Sequence, residues 1–369
     1  MEGQTSRWRE FFRRNRRWWI VGGALAAVAV IGVIFWLATK PPAEDEVTVN
    51  KSTKTATPPP ATLVASLTNG VLVAPDIANR HPVAVMIENS PAARPQVGLT
   101  SADIVYEAVT EGGITRFMGI FSQNYPTKAG PVRSARSYFI DWLSEYDAFY
   151  AHAGGSPTAL ARINQYAIKD AANDGSAYHR EPQTGVASEH TLFVDVAKIF
   201  SLGTSTHKWP ATFATPSWKF KDAAKTFGTI PKITFNFSSS QFQVVWTHDP
   251  VSDTYSRVLD GVAHKDRVSG EQIKAQTIVV MKVAHSPNPP YAGTGKESEW
   301  TMTTIGSGAV SVFEDGTRTD GTWKKPSRTE RTQFYDSAGA EIQLDRGKIW
   351  IEVLPQDGTI VAPATPATP

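Results

Sequence analysis

The most constraining feature of this sequence is an uncharged apolar segment near its start, Trp18 to Leu37 (WWIVGGALAAVAVIGVIFWL). An α-helix rises ~1.5 Å per residue, so a segment of this length spans about 30 Å, which is the thickness of the hydrocarbon core of a bilayer. Tryptophan rings at both ends suit the two membrane interfaces. The segment predicts one transmembrane helix over 18–38, through which the chain would contact the lipid bilayer.

Basic residues flank this segment unequally, which predicts its orientation. Four arginines lie within residues 13–17, whereas only Lys40 stands directly after the segment. The positive-inside rule therefore predicts a single-pass protein of the cell membrane with a cytoplasmic basic segment, 1–17, and an extracytoplasmic body. A cleaved signal peptide and a buried helix of a soluble domain are the alternatives. The apolar run is longer than the core of a usual signal peptide, and Ala38-Thr39-Lys40 is a poor cleavage site.

The composition excludes several classes of protein. The chain has no cysteine, which excludes disulfide bonds, thiolate metal ligands, iron–sulfur clusters, a thiol nucleophile and a lipid anchor on an N-terminal cysteine. Outside residues 1–40 it carries 30 basic and 33 acidic residues. The body is therefore slightly acidic, and no nucleic-acid partner is predicted.

Two polar segments delimit the body of the chain. Residues 39–62 are rich in proline, threonine and charge and predict a disordered linker, and residues 357–369 predict a disordered tail. The region after the linker, 63–205, alternates strand-like and helix-like patterns and predicts an α/β domain with a mixed sheet and helices. Its predicted strands are Val83–Glu88, Ile104–Val109, Thr115–Phe121 and Ala148–Ala153, and its predicted helices are Ser134–Tyr146, Thr158–Tyr166 and Leu192–Leu202.

The next regions differ from the first. Residues 206–231 have little periodicity and predict an inter-domain connection, and residues 232–356 predict a mainly β domain because short apolar runs alternate with turn signals. The turns are Asp260-Gly261, Asp315-Gly316 and Asp320-Gly321. The predicted strands are Thr234–Phe237, Phe242–Thr247, Tyr255–Leu259, Thr277–Val283, Val310–Phe313, Gln333–Tyr335 and Lys348–Val353.

Two long blocks resemble a known family. The runs over residues 81–121 and 129–157, the second containing GPVRSAR and YDAFYAHAGG, are similar to the YerB-type lipoprotein family, as are WTHD, DGTWKK, TERTQFYD and GKIWIEVLP within residues 242–355. The resemblance implies an extracytoplasmic bacterial protein with two domains and supplies no reaction. Because this chain has no cysteine, the predicted helix would replace the lipid as its anchor.

Candidate ligand-binding residues lie in the first region. Residues 130–136 (GPVRSAR) open a predicted helix whose N–H groups and dipole favour an anion, and Arg133 and Arg136 could hold a phosphate or carboxylate bidentately. The alternative pairs these arginines with Glu107, Glu111 or Asp141 and makes Ser134 an ordinary helix cap. The ligand-binding prediction comprises Arg116, Arg133, Ser134, Arg136, His152 and His190.

His152 is also a candidate for catalysis. It stands near the end of a strand-like segment, before Gly154-Gly155, where ligands bind in open α/β sheets, so it could act as an acid, a base or a polar contact. A histidine satisfied within the core is the alternative. With Glu107 and Glu111 it forms a candidate catalytic set. The spacing of histidines and carboxylates matches no metal motif, so no metal site and no cofactor are predicted.

Together these features predict an extracytoplasmic protein of the bacterial cell envelope that binds an anionic small molecule or a cell-wall component, with Glu107 and Glu111 orienting the arginines. An envelope hydrolase acting on peptidoglycan or glycan is one alternative, and a non-catalytic scaffold of a membrane complex is the other. Whether the chain is an enzyme stays open.

Overall fold

The computed structural model describes Trp36 and residues 62–172, 174–290 and 298–362. The predicted cytoplasmic segment, the transmembrane helix apart from Trp36, and most of the linker and the tail lie outside the described residues. Within those ranges no helix is both long and apolar enough to cross a membrane. The chain divides into two units after Pro59, and the second unit contains the strands and helices of the body.

Strands make up most of the second unit. In chain order they are β1 (Val64–Ala65), β2 (Leu72–Val73), β3 (Val83–Glu88), β4 (Ile104–Val109), β5 (Thr115–Phe121), β6 (Phe149–Ala151), β7 (Tyr178–Arg180), β8 (Leu192–Val194), β9 (Phe220–Lys221), β10 (Lys232–Asn236), β11 (Gln243–Asp249), β12 (Thr254–Leu259), β13 (Val262–Ala263), β14 (Lys274–Ala275), β15 (Thr277–Val283), β16 (His285–Ser286), β17 (Thr301–Met302), β18 (Gly306–Glu314), β19 (Thr317–Lys325), β20 (Gln333–Asp336), β21 (Leu344–Asp345), β22 (Ile349–Pro355) and β23 (Ile360–Val361).

Helices are fewer and short. The α-helices are α1 (Pro75–Ala78), α2 (Ser137–Leu143), α3 (Pro157–Gln165) and α4 (Val196–Ser205). Short 3-10 turns occupy Pro91–Ala93, Leu99–Ser101, Glu111–Gly113, Ser144–Tyr146, Gly175–Ala177, Ser188–His190 and Ser240–Phe242.

A nine-stranded mixed sheet forms the centre of the fold, in the order β20-β19-β18-β15-β22-β4-β5-β3-β6. Strand β22 pairs in parallel with β4, so that Ile349 lies opposite Ile104 and Val353 opposite Ala108. Strand β22 also pairs in parallel with β15. The predicted mixed sheet is confirmed. The two regions that the sequence predicts as domains share this sheet, because β22 belongs to the second region and pairs with β4 of the first.

The second region also builds a sheet of its own. Strands β13, β12, β11, β10 and β23 are neighbours in that order, and β14 pairs with β12, all antiparallel. The mainly β character of this region is confirmed. The connection over 206–231 contributes β9, which pairs in parallel with β21.

Apolar side chains cover both faces of the central sheet. On one face, Val85 and Val280 pack with α4 and with Val244 and Trp246 of the second sheet. On the other face, Tyr106 and other side chains pack against α2 and α3. Burial on both faces explains why β3, β4 and β5 are buried along their whole length and are mainly apolar, with no alternation of polar and apolar residues.

Local side-chain contacts set where two helices begin. The hydroxyl of Ser156 accepts the N–H of Ala159 at 3.0 Å and caps α3, as its position before a proline predicts. Helix α2 begins after Arg136 rather than at Ser134. The expectation that Ser134 caps this helix is therefore wrong: its hydroxyl donates instead to the carbonyl of Ala153 at 2.8 Å.

The helix predicted over Leu192–Leu202 is corrected in its first turn. Residues 192–194 form β8, which pairs with β7. The helix α4 begins only after Asp195, whose carboxylate accepts the N–H of Lys198 at 2.9 Å. An N-cap aspartate inside an apolar run therefore separates a strand from a helix.

Two of the three predicted Asp-Gly turns are hairpin turns. Asp260 and Gly261 have φ of 55° and 74°, and Asp315 and Gly316 have φ of 52° and 64°, which are values typical of type I′ hairpins. The turn predicted at Asp320-Gly321 is wrong, because both residues lie inside β19. There Gly321 faces β20 so closely that a Cβ atom would overlap the carbonyl oxygen of Tyr335.

The substitution Gly321→Ala is expected to lower the free energy of unfolding by about 1–3 kcal/mol, because β20 must shift to admit the methyl group. Gly175→Ala is the matched control, since a Cβ atom at Gly175 meets no atom within 4 Å. Urea unfolding followed by tryptophan fluorescence measures both. Equal stability of the two variants would contradict the pairing of β19 with β20.

Candidate functional site

Three guanidinium groups converge where β5 meets the segment before α2. We call Arg116, Arg133 and Arg136 the arginine cluster. Arg116 lies on β5 and donates from Nη1 to the carbonyl of Ser134 at 2.7 Å. Burial and the nearby charges of Arg136 and Arg133 lower the pKa of Arg116 to about 10. The structure therefore brings together three of the predicted ligand-binding residues.

Two members of the cluster have carboxylate partners. Arg136 binds Glu111 bidentately, through Nε to Oε1 and through Nη2 to Oε2 at 2.8 Å. Arg133 Nε lies 3.0 Å from Glu88 Oε2, and His190 Nδ1 lies 2.8 Å from the same oxygen. Burial raises the pKa of the Glu111 carboxyl, but the hydrogen bond and charge of Arg136 outweigh it, so that the pKa is lowered.

Arg116 differs from its two neighbours. Its side chain is buried, with the residue 7% exposed, and among the described residues no carboxylate lies within ion-pair distance of it. Its Nε also has no hydrogen-bond partner there. Glu88 and Glu111 pair with Arg133 and Arg136, and the charge of the buried Glu299 also acts on Arg136. Arg116 is therefore the member of the cluster that has no direct carboxylate partner among the described residues.

An exposed glycine borders the cluster. The backbone of residues 133–135 runs beside residues 153–155, with the N–H of Ala135 donating to the carbonyl of Gly154 at 2.9 Å. Gly154 is exposed, and a Cβ atom there would meet only the hydroxyl of Ser134, at 4.0 Å. This side of the cluster is open to solvent.

His152 lies behind this opening rather than in it. The residue is buried, its Nδ1 lies 2.7 Å from the carbonyl oxygen of Gly154, and its Nε2 lies 3.1 Å from Asp170 Oδ1. Burial disfavours the Asp170 carboxylate, but hydrogen bonds from His152 and the N–H of Ala172 outweigh burial and lower its pKa. Both ring nitrogens of His152 are therefore occupied, as in a histidine satisfied within the core.

Glu107 belongs to a different, fully buried network. Its Oε2 accepts from Arg257 Nη2, and its Oε1 accepts from Asn89 at 3.1 Å and from Thr115 at 2.6 Å. Glu111, by contrast, binds Arg136. The two glutamates do not form a carboxylate pair, and Glu107 does not orient the arginine cluster.

Sequence reasoning missed the rest of this network. Arg257 Nη1 donates to His264 Nδ1 at 2.6 Å, and His264 Nε2 donates to Gln96 Oε1 at 2.7 Å. Burial and the charge of Arg257 lower the pKa of His264, so the ring is neutral. Burial and Glu107 raise the pKa of Glu352 well above its usual value. The sequence signal that could have indicated this network is the position of Arg257 on β12, on the same buried face as Tyr255 and Leu259.

One group of described residues could hold a metal ion. We call Asp253, Glu314, Asp315 and Asp345 the acidic cluster; single carboxylate oxygens of its three aspartates lie within 4.8 Å of one another. Burial and the charge of Asp345 raise the pKa of Glu314 to about 7, and burial with neighbouring carboxylates raises that of Asp345 to about 6. No sequence pattern predicts this cluster, because its members are far apart in the chain.

Comparison with known proteins adds the family. Residues 67–208 match the N-terminal domain of the family described as "Protein of unknown function (DUF3048)", and residues 233–351 match its C-terminal domain. The chain belongs to the DUF3048 family. The arginine cluster lies within the first DUF3048 domain and the acidic cluster within the second.

A similar protein of known sequence and structure confirms the resemblance seen in the sequence. The Bacillus subtilis (strain 168) protein named "Putative lipoprotein YerB" is 29% identical over 312 residues, which are 82% of this chain and 89% of that protein. The crystal structure of Bacillus subtilis YerB is similar with a TM-score of 0.70 and 26% identity, over 81% of this chain and 99% of that one.

Proposed function

We propose that this chain is an envelope protein held at the membrane by residues 18–38, with its N-terminus in the cytoplasm and its body outside. Two features of the sequence support this proposal: the charge-free segment Trp18–Leu37 and the arginines that precede it. The similar YerB protein, which is named as a lipoprotein, supports it as well. In this chain a helix would serve as the anchor that a lipid provides in a lipoprotein.

The proposed role of the body is to bind an anionic small molecule or a cell-wall component at the arginine cluster. The observation that carries this proposal is Arg116, a buried guanidinium with an unpartnered Nε and no carboxylate within ion-pair distance among the described residues. A buried unpaired charge is costly. A bound phosphate or carboxylate would supply the missing acceptor and a counter-charge for Arg116.

The geometry also suits an oxyanion chemically. The side chain of Arg133 is 27% exposed, so a ligand could reach its guanidinium group from solvent. Hydrogen bonds from guanidinium groups to oxyanions are short and about twice as strong as neutral ones. Arg136 is held in place by Glu111 and would contribute charge more than direct contact.

A hydrolase has less support than a binding module. Such an enzyme needs His152 and a glutamate at a common reacting centre. The ring nitrogens of His152 face Gly154 and Asp170, and both oxygens of Glu107 accept hydrogen bonds in a buried network. A scaffold that binds no small ligand is the remaining alternative.

Thermal unfolding of the full-length chain in mild detergent tests the proposal. Phosphate, pyrophosphate, acetate, citrate and soluble wall fragments are compared with sodium chloride at equal ionic strength. At 100 times its Kd an anion should add about 2.7 kcal/mol, which corresponds to a rise in Tm of roughly 5 °C. No rise with any anion would contradict the binding role and favour the scaffold, whereas release of a cleaved product from the wall fragments would favour the hydrolase.

A further inference from the structure

The acidic cluster lies where four separate segments of the chain meet. Asp253 directly precedes β12, Glu314 and Asp315 stand at the hairpin between β18 and β19, and Asp345 lies on β21 beside β9. Single oxygens of the three aspartates are within 4.8 Å of one another. Carboxylates held this close together repel one another, and a cation between them relieves the repulsion.

One ammonium group, that of Lys221 on β9, contacts the cluster. Its Nζ binds Asp345, lies 2.6 Å from Asp315 Oδ2 and lies 3.4 Å from Glu314 Oε1. A single positive charge is therefore shared among at least three carboxylates. The ring of His248 contacts the fourth, with its Nε2 3.0 Å from Asp253 Oδ1.

Asp345 gives an independent sign that a ligand is missing. The residue is 1% exposed, and among the described residues its Oδ2 has no hydrogen-bond partner. Carboxylate oxygens buried without a partner are rare and call for an explanation by an ion or water. This oxygen belongs to the same carboxylate that faces Asp253 and Asp315.

We propose that the acidic cluster is a Ca²⁺ site, with oxygen ligands from Asp253, Asp315 and Asp345. Calcium takes six to eight oxygen ligands at about 2.3–2.6 Å, so ligand atoms on opposite sides of the ion are about 5 Å apart. The spread of the aspartate oxygens fits this sphere. Carboxylate oxygens as the ligand atoms favour a hard cation over a soft one.

Lys221 contacts two of the three aspartates that would bind the ion, Asp315 and Asp345. Its side chain is 33% exposed, and its flexible stem allows the ammonium group to turn toward solvent when Ca²⁺ binds. A divalent ion brings twice the charge of the ammonium to the same carboxylates. The ion would connect three parts of the chain: the turn before β12, the hairpin turn between β18 and β19, and strand β21.

Calcium binding to the full-length chain, measured by equilibrium dialysis after treatment with a chelator, tests this site. One Ca²⁺ per chain is expected with a Kd of about 1 mM or below, and Mg²⁺ should bind more weakly. Asp253→Asn should weaken Ca²⁺ binding at least 10-fold. Asp260→Asn is the matched control, because Asp260 lies at the opposite end of β12 and has a similar left-handed φ (55° for Asp260 and 47° for Asp253). The Asp260→Asn variant should bind Ca²⁺ as the unmodified chain does.

Lys221→Met distinguishes this site from a permanent ion pair. If Lys221 competes with Ca²⁺, its removal should tighten Ca²⁺ binding at least 10-fold, and Ca²⁺ should raise the Tm of this variant more than that of the unmodified chain. The proposal is overturned if the unmodified chain binds no Ca²⁺ at 10 mM, if Asp253→Asn binds as Asp260→Asn does, or if Lys221→Met neither binds more tightly nor is stabilised.

Discussion

Replacing Arg257 with methionine is expected to lower the free energy of unfolding by about 3–5 kcal/mol, because it leaves a buried carboxylate without its counter-charge. Arg257 and Glu107 are both fully buried and joined through Nη2 and Oε2. The guanidinium group also lies over the ring of Trp350, 4.9 Å from its centroid. Methionine matches much of the apolar volume but supplies neither charge nor hydrogen bonds.

The charge balance of this network makes the effect large. Burial and Glu107 raise the pKa of Glu352 well above its usual value, which disfavours a second negative charge beside Glu107. Arg257 supplies the positive charge to this pair: its Nη2 binds Glu107, and its Nε lies 3.8 Å from Glu352 Oε1. Removing Arg257 leaves the fully buried Glu107 without its ion-pair partner.

Urea unfolding followed by tryptophan fluorescence measures this prediction. The double variant Arg257→Met with Glu107→Gln removes both charges and should be more stable than Arg257→Met alone by at least about 1 kcal/mol, as coupled sites require. Arg318→Met, at a half-buried ion pair with Asp320, should cost no more than about 1 kcal/mol. A loss at Arg257 no larger than that at Arg318 would contradict the network.

The second large effect is expected at Lys325. Both Lys325 and Glu145 are fully buried, and Nζ lies 2.8 Å from Glu145 Oε1. Nζ also donates to the carbonyls of Arg328 and Glu330 at 3.0 and 2.9 Å. Lys325→Met should therefore lower the free energy of unfolding by about 3–5 kcal/mol, because it leaves the buried Glu145 carboxylate without its counter-charge and two carbonyls without the ammonium donor.

Lys219→Met is the matched control for Lys325→Met. Lys219 also has one carboxylate partner, Glu341, at 2.7 Å, but its side chain is 65% exposed. Burial is thus the main difference between the two ion pairs. The urea midpoint of Lys219→Met should equal that of the unmodified chain, and an equal midpoint for Lys325→Met would contradict the buried pair between β19 and the turn after α2.

The individual strands were largely predictable, whereas their order was not. The bounds predicted for β3, β4, β5 and β15 are those observed. Fully buried strands are short, mainly apolar runs, and the polar segments on either side mark where each strand begins and ends. Nothing in such a run identifies its neighbour. The parallel pairing of β22 with β4 joins residues 245 positions apart, as Ile349 and Ile104 do, and it places both regions in one sheet.

The candidate site was predictable to a similar extent. Arg133 and Arg136 are close in sequence, so their proximity follows from the local chain, and Arg116 reaches them from β5. The partners of Glu107 and of Asp345 were not predictable, because Arg257 and Lys221 come from distant segments. Buried ion pairs between distant segments leave little trace in the local sequence pattern.

Isothermal titration of the full-length chain with the anion that stabilises it most tests the binding role of the arginine cluster most directly. We predict one anion per chain and a Kd at least 10-fold weaker for Arg133→Gln. Arg346→Gln is the matched control, because the side chain of Arg346 is 29% exposed and pairs with one carboxylate, Asp222, at 2.9 Å; its Kd should be unchanged. Equal affinity of Arg133→Gln and the unmodified chain, or an equal loss in both variants, would contradict an anion site at the arginine cluster.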